Sequence, residues 1–203
     1  SELMTNLSAS LVNIIYNFQL MAIAGENGVA AYGVIMYVNF IFTAVYFGYA
    51  VGCAPIISYH FGADNHTELK NLFRKSLIIT AVLGLAMMVF SQILASPLAK
   101  IFVGYDAELF KLTCHGFRIY ALSFLLCGFN IFSSAFFTAL NNGAVSAGIA
   151  FLRTLVFQLA AILILPGLLG IDGVWLAIVA AEILALTVSV YFFVSRKKQY
   201  HYA

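Results

Sequence analysis

Residues 51–65 read Val51-Gly-Cys-Ala-Pro-Ile-Ile-Ser-Tyr-His-Phe-Gly-Ala-Asp-Asn65, the end of a long apolar run that turns polar through residues 64–75. Gly52 and Pro55 fall in the last turns of that run. A proline removes a backbone donor and clashes with the preceding turn, so this helix is expected to bend near 52–55. In a membrane such a weak point lies beside a cavity or another helix, where the freed backbone groups find partners.

The rest of the chain places that helix in a bilayer. The sequence is 63% hydrophobic and 9% charged, with a mean hydropathy of +0.99; soluble domains are roughly 45–50% apolar and about 25% charged. Crossing the ~30 Å hydrocarbon core takes about 20 helical residues. Runs of that length lie near 3–24, 29–61, 76–95, 112–140, 144–168 and 173–195, which predicts six spans followed by a basic cytoplasmic tail over 196–203. Stretches rich in Gly, Pro, Asn or charge separate them. The runs are too long and too evenly apolar for the alternating strands of a membrane barrel, so the expected fold is an all-α, six-transmembrane-helix bundle.

Six spans return both termini to one side. That side would carry Lys70, Arg74, Lys75, Arg153, Arg196, Lys197 and Lys198, against Lys100, Lys111 and Arg118 opposite. The basic side is expected to be cytoplasmic, with Arg153 and Arg118 snorkelling from shallow positions. Trp175 and Asp172 are read as marking the outer interface of the last span.

Polar residues inside the spans carry whatever chemistry the chain performs. Glu2, Asn6, Ser10, Asn13 and Asn17 recur at helical steps along one face of the first span, and Ser123, Cys127, Asn130, Ser134, Thr138 and Asn141 do so on the fourth. Asn39 and Thr43 add one turn of the second span. Asparagine facing lipid is costly, so the expected cavity wall is Asn6, Asn13, Asn17, Asn39, Ser123, Asn130 and Ser134. Hydrogen bonding between helices is the competing role for each of them. Glu182 is the carboxylate deepest in a span, and Glu2 lies near the start of the first. Both are read as groups that bind a proton or attract a cation, Glu182 the more strongly, because an unpaired carboxylate in hydrocarbon is expensive.

Several function classes fall away. A net charge of +2 with scattered basic residues is no nucleic-acid footprint. Cys53, Cys114 and Cys127 lack CxxC spacing, and His60, His66, His115 and His201 are dispersed, so neither a metal nor a resident cofactor is expected. No GxSxG, HExxH or Asp-pair motif supports an intramembrane enzyme.

The block Gly52-x-x-Pro55-x-x-Ser58-x-x-x-Gly62-Ala63 resembles the end of the eighth helix of multidrug and toxic compound extrusion (MATE) transporters, and the likeness extends along the chain. The resemblance implies the C-terminal six-helix lobe of a twelve-helix, pseudo-symmetric transporter, with an N-terminal lobe as partner. The start at Ser1, already within a helical pattern and without a signal peptide, reads as a piece of such a chain. The implied function is export of small organic, often cationic, compounds through the bilayer in exchange for H+ or Na+. In relatives with an ion site in this lobe, a glutamate and an aspartate bind the ion where Asn6 and Asn130 stand, so the chain looks more like the DinF-like and MepA-like branch. Coupling would then rest on the other lobe or on Glu182. The alternatives are a lipid-linked precursor flippase, whose cavity would be strongly basic, and a small six-helix homodimer. Tyr16, Phe18, Tyr37, Phe40, Tyr46, Phe129, Phe132 and Phe136 would suit flat cations as a cavity lining.

Overall fold

A computed structural model describes residues 2–202, with side chains over 7–202. The side chains of Glu2 and Asn6 therefore lie outside the described residues. The described chain is helical with short connections: α1 (Glu2–Gly62), α2 (His66–Val103), α3 (Ala107–Tyr120), α4 (Phe124–Ala139), α5 (Gly143–Phe151), α6 (Gln158–Leu169) and α7 (Ile171–Tyr200). A 3-10 turn, Ala121–Ser123, joins α3 to α4, and a π-helical turn, Leu152–Phe157, joins α5 to α6.

Among the described residues, five continuous helical stretches are long and apolar enough to cross a membrane. The first contains two crossings. At Gly25 the backbone leaves the helix, with φ 61° and ψ −149°, a region open essentially to glycine. The rings of Tyr16 and Tyr32 then stack at 5.2 Å. Sixteen residues of straight helix would separate them by about 24 Å, so α1 folds back on itself into limbs 2–24 and 26–62. With that hairpin the six expected spans are all present as helices.

The helix continues through Gly52 and Pro55, where the bend was expected. Helical φ/ψ persist through Pro55, and the departure inside α1 is at Gly25. Ser58 instead ties the end of α1 to α4, its hydroxyl donating to the Ala139 carbonyl at 2.9 Å. Exposed Gly62 and Ala63 close the helix into the short turn before α2.

Two expected polar connections are also helical. Residues 66–75 form the first turns of α2, where the Asn65 side chain caps the helix by accepting from the Glu68 amide at 3.2 Å. Helix α2 likewise runs through Pro97 to Val103. Hydrophobicity marks where a span meets lipid; it does not mark where a polar extension stops being helical. The tail is equally ordered. Helix α7 continues to Tyr200, His201 turns left-handed at φ 54°, and Tyr202 folds back among Phe73, Phe136 and Phe137. Its hydroxyl donates to the Phe193 carbonyl at 2.9 Å, so the basic end of α7 is tied back to the bundle through Tyr202.

Small residues let the helices close. A Cβ on Gly116 would lie 2.6 Å from the Trp175 ring, and one on Gly128 equally close to Tyr46. Trp175 is fully buried against neighbouring helices. The core divides into an aromatic cluster at the end holding Tyr202 and a larger one around Tyr16, Tyr120, Phe124 and Trp175.

The turn at Asn65 lies at the Tyr202 end, where His66 meets His201 and Asn142 donates to the Tyr200 hydroxyl. The turn at Gly104 lies 38 helical residues away at the other end of α2. Single cysteines at Asn65 and Gly104 are expected to react with a membrane-impermeant maleimide from opposite sides. Labelling of both from one side would refute this crossing.

Candidate functional site

The helices surround a cavity of about 240 Å³ lined from α1, α3, α4, α6, α7 and the two short turns. The first limb of α1 supplies Asn13 and Tyr16, and the second supplies Tyr32, Asn39 and Thr43. From the other side come Tyr120, Ser123 and Cys127 around the 3-10 turn, then Arg153, Gln158 and Glu182. Folding α1 back at Gly25 is what brings Asn13 and Asn39 to one wall.

At its floor Glu182 is 1% exposed and paired with Arg153, whose side chain is 14% exposed. Arg153 Nη2 lies 2.7 Å from Glu182 Oε1, and its Nε donates to Oε1 at 2.9 Å and to Oε2 at 3.1 Å. Asn130 supports the carboxylate from behind. Its Nδ2 donates to Glu182 Oε2 at 2.7 Å and to the Glu182 carbonyl at 3.0 Å, while its Oδ1 accepts from Ser189 at 2.9 Å. A charge in hydrocarbon survives where it is paired and its remaining lone pairs are bonded, and both conditions hold here.

Arg153 was expected at a shallow, snorkelling position and instead reaches the interior. It stands ten residues into the span that starts at Gly143, about 15 Å along it, and Glu182 is eleven residues past Ile171, about 16 Å from the opposite end. Two side chains entering from opposite ends therefore meet near the middle. The π-helical turn holding Arg153 inserts an extra residue per turn; such bulges re-aim side chains and recur at functional sites. Removing Arg153 from the basic loops leaves Lys70, Arg74, Lys75, Arg196, Lys197 and Lys198 at the Tyr202 end.

The other expected residues divide. Asn13, Asn39, Ser123 and Glu182 line the cavity. Asn130 is fully buried behind it. Asn17 donates back along its own helix to Asn13, at 2.8 Å to the carbonyl and 3.1 Å to Oδ1. Ser134 bonds to Ser146 at 3.0 Å and Thr138 joins the same hydroxyl at 2.7 Å, so the lower half of the α4 stripe fastens α4 to α5. Among the expected cavity aromatics, Tyr16 lines the wall, Tyr46, Phe132 and Phe136 are core, and Phe18, Tyr37 and Phe40 point outward. Arg153, Tyr32, Tyr120 and Gln158 were missed; for Arg153 the available signal was its depth within an otherwise apolar run.

The MatE family model matches residues 3–164. The chain belongs to the MatE family. No curated protein matches its sequence. It is similar in structure to a multidrug resistance MATE family transporter of the MOP superfamily, in the outward-facing conformation with TM-score 0.89 and in the inward-facing conformation with 0.88, both at 23% identity. The matches cover 98% and 97% of this chain and 45% and 46% of those chains. The Vibrio cholerae MATE transporter VcmN, in its bent form, gives 0.87 at 19% identity, covering 98% of this chain and 45% of that one. The chain thus spans less than half the length of these MATE transporters, and the family's members are transporters rather than enzymes.

Proposed function

We propose that this chain is the C-terminal lobe of a twelve-helix secondary antiporter of the DinF-like and MepA-like branch, exporting small organic compounds across the cytoplasmic membrane in exchange for H+ or Na+. The observation that carries the reading is the polar cavity built across a lobe of MATE fold. In transporters built from repeats, substrate sites lie near the bilayer midplane at the repeat interface, and alternating access is rocking of one repeat against the other. The nearly equal likeness of this lobe to outward- and inward-facing structures supports a lobe that moves as a unit.

The ion pair refines where coupling sits. Glu182 already has Arg153 as counter-charge, which favours a carboxylate of the N-terminal lobe as the coupling group over Glu182; Glu2 lies outside the described residues. A flippase for lipid-linked precursors is disfavoured because its cavity would be strongly basic, whereas Arg153 is the one basic side chain lining this cavity among the described residues. The loops at the Tyr202 end carry most of the basic residues, which supports a cytoplasmic placement of both termini.

The test is efflux by the complete protein in proteoliposomes, with ethidium as reporter and imposed proton or sodium gradients. Gradient-driven efflux is expected from the complete protein and none from residues 1–203 alone, which would present their polar faces to lipid. Robust efflux by residues 1–203 alone would falsify the half-transporter reading.

A further inference from the structure

The cavity holds more hydrogen-bonding capacity than the lobe uses. A guanidinium carries five N–H donors in a planar fork, and Arg153 spends its Nε–Nη2 edge on Glu182. Nη1 makes no hydrogen bond among the described residues, so the second edge of the fork is unspent on a side chain that lines the cavity. The Tyr16 hydroxyl is buried on the same wall with no partner. The hydroxyls of Tyr32, Tyr120 and Ser123 likewise make no bond among the described residues.

We propose that the free edge of Arg153, together with the Tyr16 hydroxyl, receives the carboxylate of an aromatic acid whose ring lies against the tyrosine wall. This rests on the export reading only in placing the ligand on a transport route. The polarity follows from what is already satisfied. Glu182, the cavity's one carboxylate among the described residues, accepts from Arg153 and Asn130, so an incoming cation meets an acceptor already in use. An incoming carboxylate meets the Arg153 Nη1 N–H groups, which Glu182 leaves unspent although it lines the same cavity. Paired N–H···O bonds to a carboxylate are the strong, directional use of that fork. Stacked Tyr16 and Tyr32, with Tyr120 on the facing element, supply area for a flat ring. A cavity of about 240 Å³ suits a one- or two-ring acid.

The test is equilibrium binding of 2-naphthoate and its neutral isostere 2-naphthamide to the complete protein in lipid nanodiscs. Wild type is expected to prefer the carboxylate by about tenfold or more, the scale of one charge-assisted pair. Arg153→Lys keeps a positive charge opposite Glu182 but has no second edge, and is expected to cut that preference to about threefold or less. Equal affinity for the two compounds in wild type, or an unchanged preference in Arg153→Lys, would overturn the proposal. The wild-type comparison decides it even where the lysine variant fails to fold. Ethidium efflux separates the two readings: carboxylate preference without gradient-driven efflux sustains this site and overturns the export reading, whereas efflux without the preference does the reverse.

Discussion

Glu182→Gln is expected to destabilise the complete protein by about 3–5 kcal/mol, because it leaves the Arg153 guanidinium buried without its counter-charge. The substitution keeps size and most hydrogen bonding, so the loss reports charge and not packing. Glu182 is almost fully buried and Arg153 nearly so, which limits solvent screening of the pair. Arg153→Met combined with Glu182→Gln removes both charges and is expected to recover most of the loss, since replacing a whole buried pair by apolar groups is often close to neutral. Thermal unfolding of the two single variants and the double variant in detergent closes the cycle. A double variant whose loss equals the sum of the two single losses would show that the pair contributes little. A Glu182→Gln protein that unfolds normally yet loses gradient-driven efflux would return Glu182 to the role of coupling group.

That expectation differs from the one the sequence suggests for a lone carboxylate, and the difference is physical. Periodicity reports which residues share a face of a helix, as Asn13 and Asn17 do. It is silent on which neighbour that face meets. Ser123 turns to the cavity, whereas Ser134, on the same stripe, meets Ser146 across the α4–α5 turn. The six spans were legible because hydrophobic length has one solution in a bilayer, and the hairpin at Gly25 was signalled by the polar break Gly25-Glu-Asn-Gly28. The Arg153–Glu182 pair was not legible as a pair, since its partners are 29 residues apart and enter the core from opposite ends. Depth was computable for both; applying it to the arginine as well as the glutamate would have placed the two charges at one level. The π-turn carries no sequence signal, because its bonding pattern comes from the packing around it.

Asn130→Asp is expected to be more damaging than Asn130→Ala, although aspartate is nearly isosteric with asparagine. The Asn130 amide donates to Glu182 Oε2 at 2.7 Å, so a carboxylate there would face the Glu182 carboxylate at contact distance with a donor replaced by an acceptor. Truncation to alanine loses hydrogen bonds to a charged group, about 1.5–3 kcal/mol. The aspartate sets a second carboxylate in direct contact with the buried Glu182 carboxylate, with no donor between them, and the expected cost is about 3–5 kcal/mol. The amide orientation behind this ordering is fixed by Glu182: the Ser189 hydroxyl can donate or accept, but the carboxylate can only accept. Unfolding temperatures of the two variants at pH 8 test it. An aspartate variant as stable as wild type would mean that the Asn130 amide and the Glu182 carboxylate are not bonded as described.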